Sequence, residues 1–146
     1  MIISNYMRSE HRECDEIFTA AEKSVIDGDF DKAEKQFLLF ANDTIKHFKK
    51  EEESLFPTFE KVSGSTEGPT KVMRYEHEQI RGLIGKMGET IESKDKDAFL
   101  SIAESMMILL QQHNMKEEQM LYAMCDRIIP QELKESILDE IKKIEI

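Results

Sequence analysis

One six-residue segment occurs twice in the chain and limits what the chain can fold into. His47–Glu52 (HFKKEE) recurs 66 residues later as His113–Glu118 (HNMKEE), with His, Lys, Glu and Glu at the same places. On a helix, a His and a Glu four residues apart lie on one face, one turn from each other. Burying such a pair is costly unless another group neutralises it, and a metal ion does that. Two such helices facing each other predict a metal-binding helical bundle.

The repeat extends beyond this segment. Met7, Arg8, Glu10 and His11 recur as Met73–His77, again at an offset of 66 residues. All four histidines therefore form two pairs, and within each half the two histidines are 36 residues apart. That interval fits two helical arms and a short turn, which brings both histidines to one height. We interpret the chain as two helical hairpins related by a pseudo-twofold axis.

Apolar residues at three- and four-residue spacing predict four long helices and a short fifth. The first runs from Ile3 to about Ile26, and Asp29 is a suitable N-cap for the second. Pro57 predicts a kink or an end in that second helix, because proline lacks an amide hydrogen. In each of the four helices, one histidine falls on the apolar stripe. The stripes are as follows: Ile3, Met7, His11, Cys14, Phe18, Ala21 and Val25; Ala33, Phe37, Phe40, Thr44, His47, Glu51 and Leu55; Met73, His77, Ile80, Ile84, Met87 and Ile91; Ala103, Met106, Leu110, His113, Glu117, Leu121 and Met124.

Length and charge exclude several classes of protein. At 146 residues we expect a single domain spanning 1–146, with the bundle at about 3–128 and the short C-terminal helix at about 131–145. A net charge of −10 without a basic run argues against nucleic acid and against an anionic membrane surface. No apolar run reaches the length of a membrane span, and Met1–Glu10 lacks the features of a signal peptide. We therefore expect a cytoplasmic protein.

Six inward side chains form the predicted metal site. Four imidazoles and two carboxylates are too many ligands for one structural zinc ion. Imidazole with carboxylate and no thiolate favours iron over manganese or zinc, and paired carboxylates favour two metals. Pseudo-symmetry assigns one histidine pair to each metal, with both glutamates bridging and positions left open for water, a bridging oxo or hydroxo group and a small ligand. The predicted ligands are His11, His47, Glu51, His77, His113 and Glu117.

The order of these ligands resembles the hemerythrin-like, or HHE cation-binding, family. The motif is a His, a His-x-x-x-Glu, a His and a second His-x-x-x-Glu, and the resemblance spans about residues 3–128. It implies an all-α, up-down-up-down antiparallel four-helix bundle with a non-haem di-iron centre that meets dioxygen, nitric oxide or peroxide. Oxygen-carrying members have a fifth histidine one turn from the helix-three ligand, whereas Met73 and Arg81 flank His77 here. The ligand set looks more like that of the iron-centre repair proteins.

Two functions follow as hypotheses. The first is a di-iron protein that binds or reduces dioxygen, nitric oxide or hydrogen peroxide, in oxidative or nitrosative stress defence. An apolar wall of Phe40, Phe48, Met107 and Leu110 would admit such small neutral molecules. The second is a non-enzymatic sensor of oxygen or iron, or an iron-handling module. The electron donor and any protein partner are open, and a bundle without metal is the remaining alternative.

Residues next to the ligands give further expectations. Glu52 and Glu118 lie about 100° from the ligand face, which predicts that they point to solvent. Glu10 and Glu76 could instead orient an imidazole through its second nitrogen. Asp15 and Arg81 could form an ion pair that closes one end of the site. Three tyrosines are candidate hydrogen-bond donors to the site, namely Tyr6, Tyr75 and Tyr122.

Overall fold

The computed structural model describes residues 2–145, and these residues form five helices and no strand. Helix α1 is Ile2–Ile26, and α2 comprises Phe30–Lys50, a π-helical turn at Glu51–Leu55, and Phe56–Ser63. Helix α3 is Pro69–Glu92, and α4 comprises Lys96–Lys116, a second π-helical turn at Glu117–Leu121, and Tyr122–Ile128. The short helix α5 is Gln131–Lys142.

The four long helices form the expected antiparallel bundle. Each packs against the next in the chain, and α1 also packs against α4, which closes the ring. The predicted cap at Asp29 is confirmed, because its carboxylate accepts a hydrogen bond from the Lys32 amide at 3.1 Å. Asp95 caps α4 in the same way through the Ala98 amide. Repeated caps and turns thus make the two hairpins alike.

The two π turns are a feature that the sequence pattern did not predict. The Phe56 amide donates to the Glu51 carbonyl, and the Tyr122 amide donates to the Glu117 carbonyl, each across five residues. Of the kink or end predicted at Pro57, the end is wrong, because the helix continues to Ser63. A following proline is not required for such a turn, since Ala123 stands at the equivalent place after the second one.

The apolar core is divided into two clusters with the histidine layer between them. One cluster includes Phe18, Phe40 and Met106, and the other includes Ile3, Met7 and Leu121. Helix α5 joins the second cluster through its buried side chains Ile137 and Ile141, so it covers that end of the bundle. No helix within residues 2–145 is both long enough and apolar enough to cross a membrane.

Candidate metal centre

The structure brings the six predicted ligands together in the middle of the bundle. Helices α1 and α3 each contribute one histidine, while α2 and α4 each contribute a histidine and a glutamate. The side chains of His77, His113, Glu51 and Glu117 are 0 % exposed, and those of His11 and His47 are close to it. Ionisable groups at such depth need neutralising partners. That these residues bind metal remains a prediction, and their placement is what the prediction requires.

Among residues 2–145, two groups of side chains could each hold a cation. One consists of Glu51, His77, His113 and Glu117, and the other of His11, His47 and Glu117. Within each group the candidate ligand atoms all lie within 4.8 Å of one another. The division agrees with the expected assignment of one histidine pair to each metal. The two glutamates differ, however, because Glu117 belongs to both groups and Glu51 to one.

Unpartnered buried atoms provide a test of whether a cation fits. In the first group, each of the four residues has one atom that could bind a metal and that lacks a hydrogen-bond partner: Glu51 Oε1, His77 Nε2, His113 Nε2 and Glu117 Oε2. Buried polar atoms without partners are rare in folded proteins and require an explanation. These four face one another, with 3.2 Å between His77 Nε2 and Glu51 Oε1. Nitrogen and carboxylate oxygen donors converging in this way suit a divalent first-row metal.

The two central carboxylates differ in their electrostatic environment. Burial raises the pKa of Glu51, and the neighbouring charge of Glu117 raises it further. Burial acts in the same direction on Glu117, but His113 and the hydrogen bonds of Glu51 and His11 lower its pKa well below the usual range. The cluster therefore favours one ionised carboxylate beside histidines in the absence of a metal. A cation would stabilise the ionised form of both.

Each ligand histidine also has an outward contact with a glutamate. The His Nδ1 atom lies within hydrogen-bond distance of a carboxylate oxygen in the pairs His11–Glu118 at 2.7 Å, His47–Glu10 at 2.8 Å, His77–Glu52 at 2.6 Å and His113–Glu76 at 2.8 Å. With Nδ1 as the donor, each Nε2 is left free to face the centre. Such carboxylate contacts orient metal-binding imidazoles and increase their basicity.

The expectation that Glu52 and Glu118 point to solvent is wrong. Their side chains are 22 % and 30 % exposed, and each lies against a histidine of a neighbouring helix. The residue after an inward ligand is rotated by about 100°, which in a four-helix bundle points toward the interface with the adjacent helix. That rotation therefore brings Glu52 and Glu118 against a neighbouring helix and not into solvent.

The four histidine–glutamate contacts form a closed circuit around the bundle. The glutamate of α1 contacts the histidine of α2, that of α2 contacts α3, that of α3 contacts α4, and that of α4 returns to α1. Every pair of adjacent long helices is therefore joined by one contact at the level of the site. Sequence spacing alone did not show these partners, because the pairing depends on how the helices are arranged in space.

Positively charged side chains contact the four outer glutamates from outside this circuit. Lys50 contacts Glu10, and its equivalent Lys116 contacts Glu76. Burial of Glu10 raises its pKa, but the hydrogen bond with His47 and the contact with Lys50 bring the pKa down to about 2. These glutamates are therefore ionised at neutral pH, as the contact with imidazole requires.

Arginines take the corresponding places in the other two pairs. Arg81 donates to Glu52 at 2.8 and 3.1 Å, and the Nε atom of Arg8 lies 3.5 Å from Glu118. The proposed ion pair between Asp15 and Arg81 is wrong, because Arg81 is engaged with Glu52 and Glu78. Asp15 instead lines a surface cleft that includes Arg8.

Of the three tyrosines, Tyr122 lies at the site. Its hydroxyl oxygen is 2.7 Å from Glu51 Oε2 and 2.9 Å from Glu117 Oε1, and its side chain is fully buried. Tyr75 is 66 % exposed, and the Tyr6 hydroxyl accepts a hydrogen bond from Lys50. The sequence feature that distinguishes Tyr122 is its place beside the inward residue Leu121, five residues after Glu117.

Aromatic rings enclose His77 on both faces. Phe48 stacks on it with 3.8 Å between ring centroids, and Phe56 lies at 5.7 Å, with interplanar angles of 15° and 18°. The expected wall residues Phe40 and Leu110 are buried in the adjoining apolar cluster. Rings on both sides keep water from the imidazole and fix its orientation.

Comparison with known proteins identifies one family. The family model described as the hemerythrin HHE cation binding domain matches residues 2–125. This range contains all six predicted ligands and the four outer glutamates. No curated protein and no solved structure matches the chain.

Proposed function

Because the chain belongs to the hemerythrin HHE cation-binding family, we propose that it holds two iron ions and binds or reduces a small ligand. The ligand would be dioxygen, nitric oxide or hydrogen peroxide, and the role would be in oxidative or nitrosative stress defence. The observation that supports the metal is the set of buried donor atoms that face one another without hydrogen-bond partners.

The proposed ligands divide between two metals. His11 and His47 would bind one iron, His77 and His113 would bind the other, and Glu117 would bridge them. Glu51 belongs to the group that contains His77 and His113, and one of its oxygens also lies 3.4 Å from His47 Nε2, which supports the bridging role expected of it. Iron in such a site would supply electrons and Lewis acidity to a bound ligand.

The protein side chains would orient the ligands and limit access to the site. Each outer glutamate holds an imidazole with Nε2 directed inward, as the Nδ1 contact of 2.6 Å at His77 illustrates. Apolar groups including Phe48 and Phe56 surround the centre, which favours small neutral molecules over hydrated ions.

The proposal is tested with metal-loaded protein. Purified chain is loaded anaerobically with ferrous iron, bound iron is measured by elemental analysis, and oxygen or peroxide is then added while the near-ultraviolet spectrum and ligand consumption are followed. We expect two irons per chain, a new absorption band and consumption of the ligand. Absence of bound iron would contradict the proposal. Bound iron without a spectral change or consumption would favour the sensor or iron-handling function instead.

A further inference from the structure

The two halves of the metal centre differ at one position. The repeat that relates the hairpins aligns Tyr122 of α4 with Phe56 of α2, at the offset of 66 residues. Both side chains are fully buried, and both directly follow a π turn. The phenol oxygen is therefore a polar atom that the other half lacks.

The phenol oxygen lies among the donor atoms of the His11–His47 half. It is 3.2 Å from His11 Nε2 and 3.4 Å from His47 Nε2, in addition to its shorter distances to the two central carboxylates. His11 Nε2 is itself 3.2 Å from His47 Nε2 and 3.1 Å from Glu117 Oε1. Atoms bound to one ion at about 2.1 Å lie roughly 3.0 Å apart in octahedral and roughly 3.4 Å apart in tetrahedral coordination. The spacing of these atoms is that of ligands of a single cation.

The number of protein donors supports the same conclusion. The His77–His113 half has two histidines and two glutamates as a ligand group, whereas the His11–His47 half has two histidines and Glu117. The phenol oxygen would be the fourth member of the smaller group. A phenolate would also reduce the positive charge that two divalent cations leave in a buried site with two carboxylates.

We propose that Tyr122 is a protein ligand of the metal held by His11 and His47. The proposal rests on the proposed function, because it requires metal. On coordination the O–H bond of Tyr122 is replaced by an oxygen–metal bond, and the proton is released to solvent.

The test uses a spectroscopic property of phenolate bound to ferric iron. The chain is loaded with ferrous iron without oxygen, oxidised with ferricyanide, and examined by visible absorption and resonance Raman spectroscopy. We expect a visible charge-transfer band and tyrosinate ring vibrations that shift in protein grown with ring-deuterated tyrosine. Bound iron is measured in every sample, so that metal content and the band are known independently.

Three variants provide the comparison. Tyr122→Phe should lose the band, and Phe56→Tyr should strengthen it by adding a phenolate to the His77–His113 half. The matched control Tyr75→Phe alters an exposed tyrosine and should leave the band unchanged.

Each outcome decides the proposal. A band that persists in Tyr122→Phe would overturn it, as would wild-type protein that binds two irons without the band. One iron per chain without the band would also overturn it, since Tyr122 would then occupy the place of the second metal through hydrogen bonds. If Tyr122→Phe fails to fold, the isotope shift in the wild-type protein still decides. Failure to bind any iron would remove the proposed function as well, which separates the two failures.

Discussion

At the scale of single residues, the four histidines are engaged at both ring nitrogens. Nδ1 of each lies against a carboxylate, and Nε2 of each faces the centre. With metal bound, this arrangement would place the proton on Nδ1 and direct the lone pair of Nε2 inward. The orientation is in place without any movement of the helices, so a metal would meet ligands that are already positioned.

Replacing an outer glutamate should weaken metal binding without removing a ligand. Glu52→Gln takes the charge from the contact with His77, and we expect roughly 10- to 100-fold weaker metal affinity because the imidazole becomes less basic and less fixed. Glu53→Gln is the matched control, since Glu53 is the exposed neighbour. Competition with a chelator measures both. Equal affinities in the two variants would contradict the role given to Glu52.

The pKa values of the histidines predict that the stability of the metal-free protein depends on pH. Burial lowers the pKa of His77, but the neighbouring carboxylates of Glu117, Glu51 and Glu52 raise it to about 11. For His11 the opposing effects of burial and of Glu117 and Glu118 give a pKa of about 9. In metal-free protein the stability from these pairs is therefore fully present below the ordinary histidine pKa of about 6.5 and is lost as the pH rises through the folded values.

The expected result is a decrease in the free energy of unfolding of metal-free protein between about pH 6.5 and pH 9. Metal affinity should increase over the same range, because protons compete with the metal for the same nitrogens. Urea unfolding and metal titration at several pH values measure the two trends. A metal-free protein that becomes more stable toward pH 9 would show that the histidines are not protonated partners of the glutamates.

At the scale of elements, each His-x-x-x-Glu motif ends where its helix changes hydrogen-bonding pattern. Glu51 and Glu117 are the first residues of the two π turns. Each glutamate therefore keeps the α-helical relation to the histidine before it, while the residues after it are shifted in rotation by the extra residue. That shift places Phe56 and Tyr122 at the site. Apolar periodicity predicted the helices and the ligands, but it does not report a change of one residue in the hydrogen-bond ladder.

Proline should have little part in forming the first π turn. Pro57→Ala is expected to leave metal stoichiometry unchanged and to lower stability by only about 0.4–1 kcal/mol, through greater freedom of the unfolded chain. The equivalent turn, which has Ala123 at this position, is the internal control. Elemental analysis and urea unfolding measure the effects. Loss of metal in Pro57→Ala would mean that the proline, not the bundle, maintains the turn.

The outer glutamates show what sequence reasoning could and could not predict at this scale. The offset of 66 residues identified the inward histidines and glutamates, because periodicity places them on the apolar faces. It did not predict that Glu118 of α4 contacts His11 of α1, since that contact depends on the rotation and order of helices in the bundle. For the same reason the expected pairing of Asp15 with Arg81 was wrong.

At the scale of the whole molecule, a polar layer separates two apolar clusters. Burying the layer costs free energy in the absence of metal, because carboxylates and imidazoles leave water for a site with unpartnered atoms. Bound metal would stabilise this layer more than any other part of the molecule. Stability and metal occupancy should therefore be coupled.

Wild-type protein should accordingly melt at a higher temperature with ferrous iron than without it. Glu117→Leu removes the carboxylate that belongs to both ligand groups. Iron should therefore raise the melting temperature of this variant little or not at all. The variant should be less stable than wild type when both are metal-free, because removing Glu117 leaves the buried histidines beside it without their carboxylate partner. Differential scanning calorimetry under anaerobic conditions measures all four states. An equal metal-dependent increase in both proteins would contradict the assignment of Glu117.

The central claim is that the buried histidines and glutamates surround two metal ions. Anomalous diffraction at the iron absorption edge, from crystals of iron-loaded protein, tests it most directly. We predict two peaks, one between His11 and His47 and the other between His77 and His113, each within bonding distance of Glu117. Crystals of loaded protein with no peak at these side chains, or with iron bound only at the surface, would contradict the account.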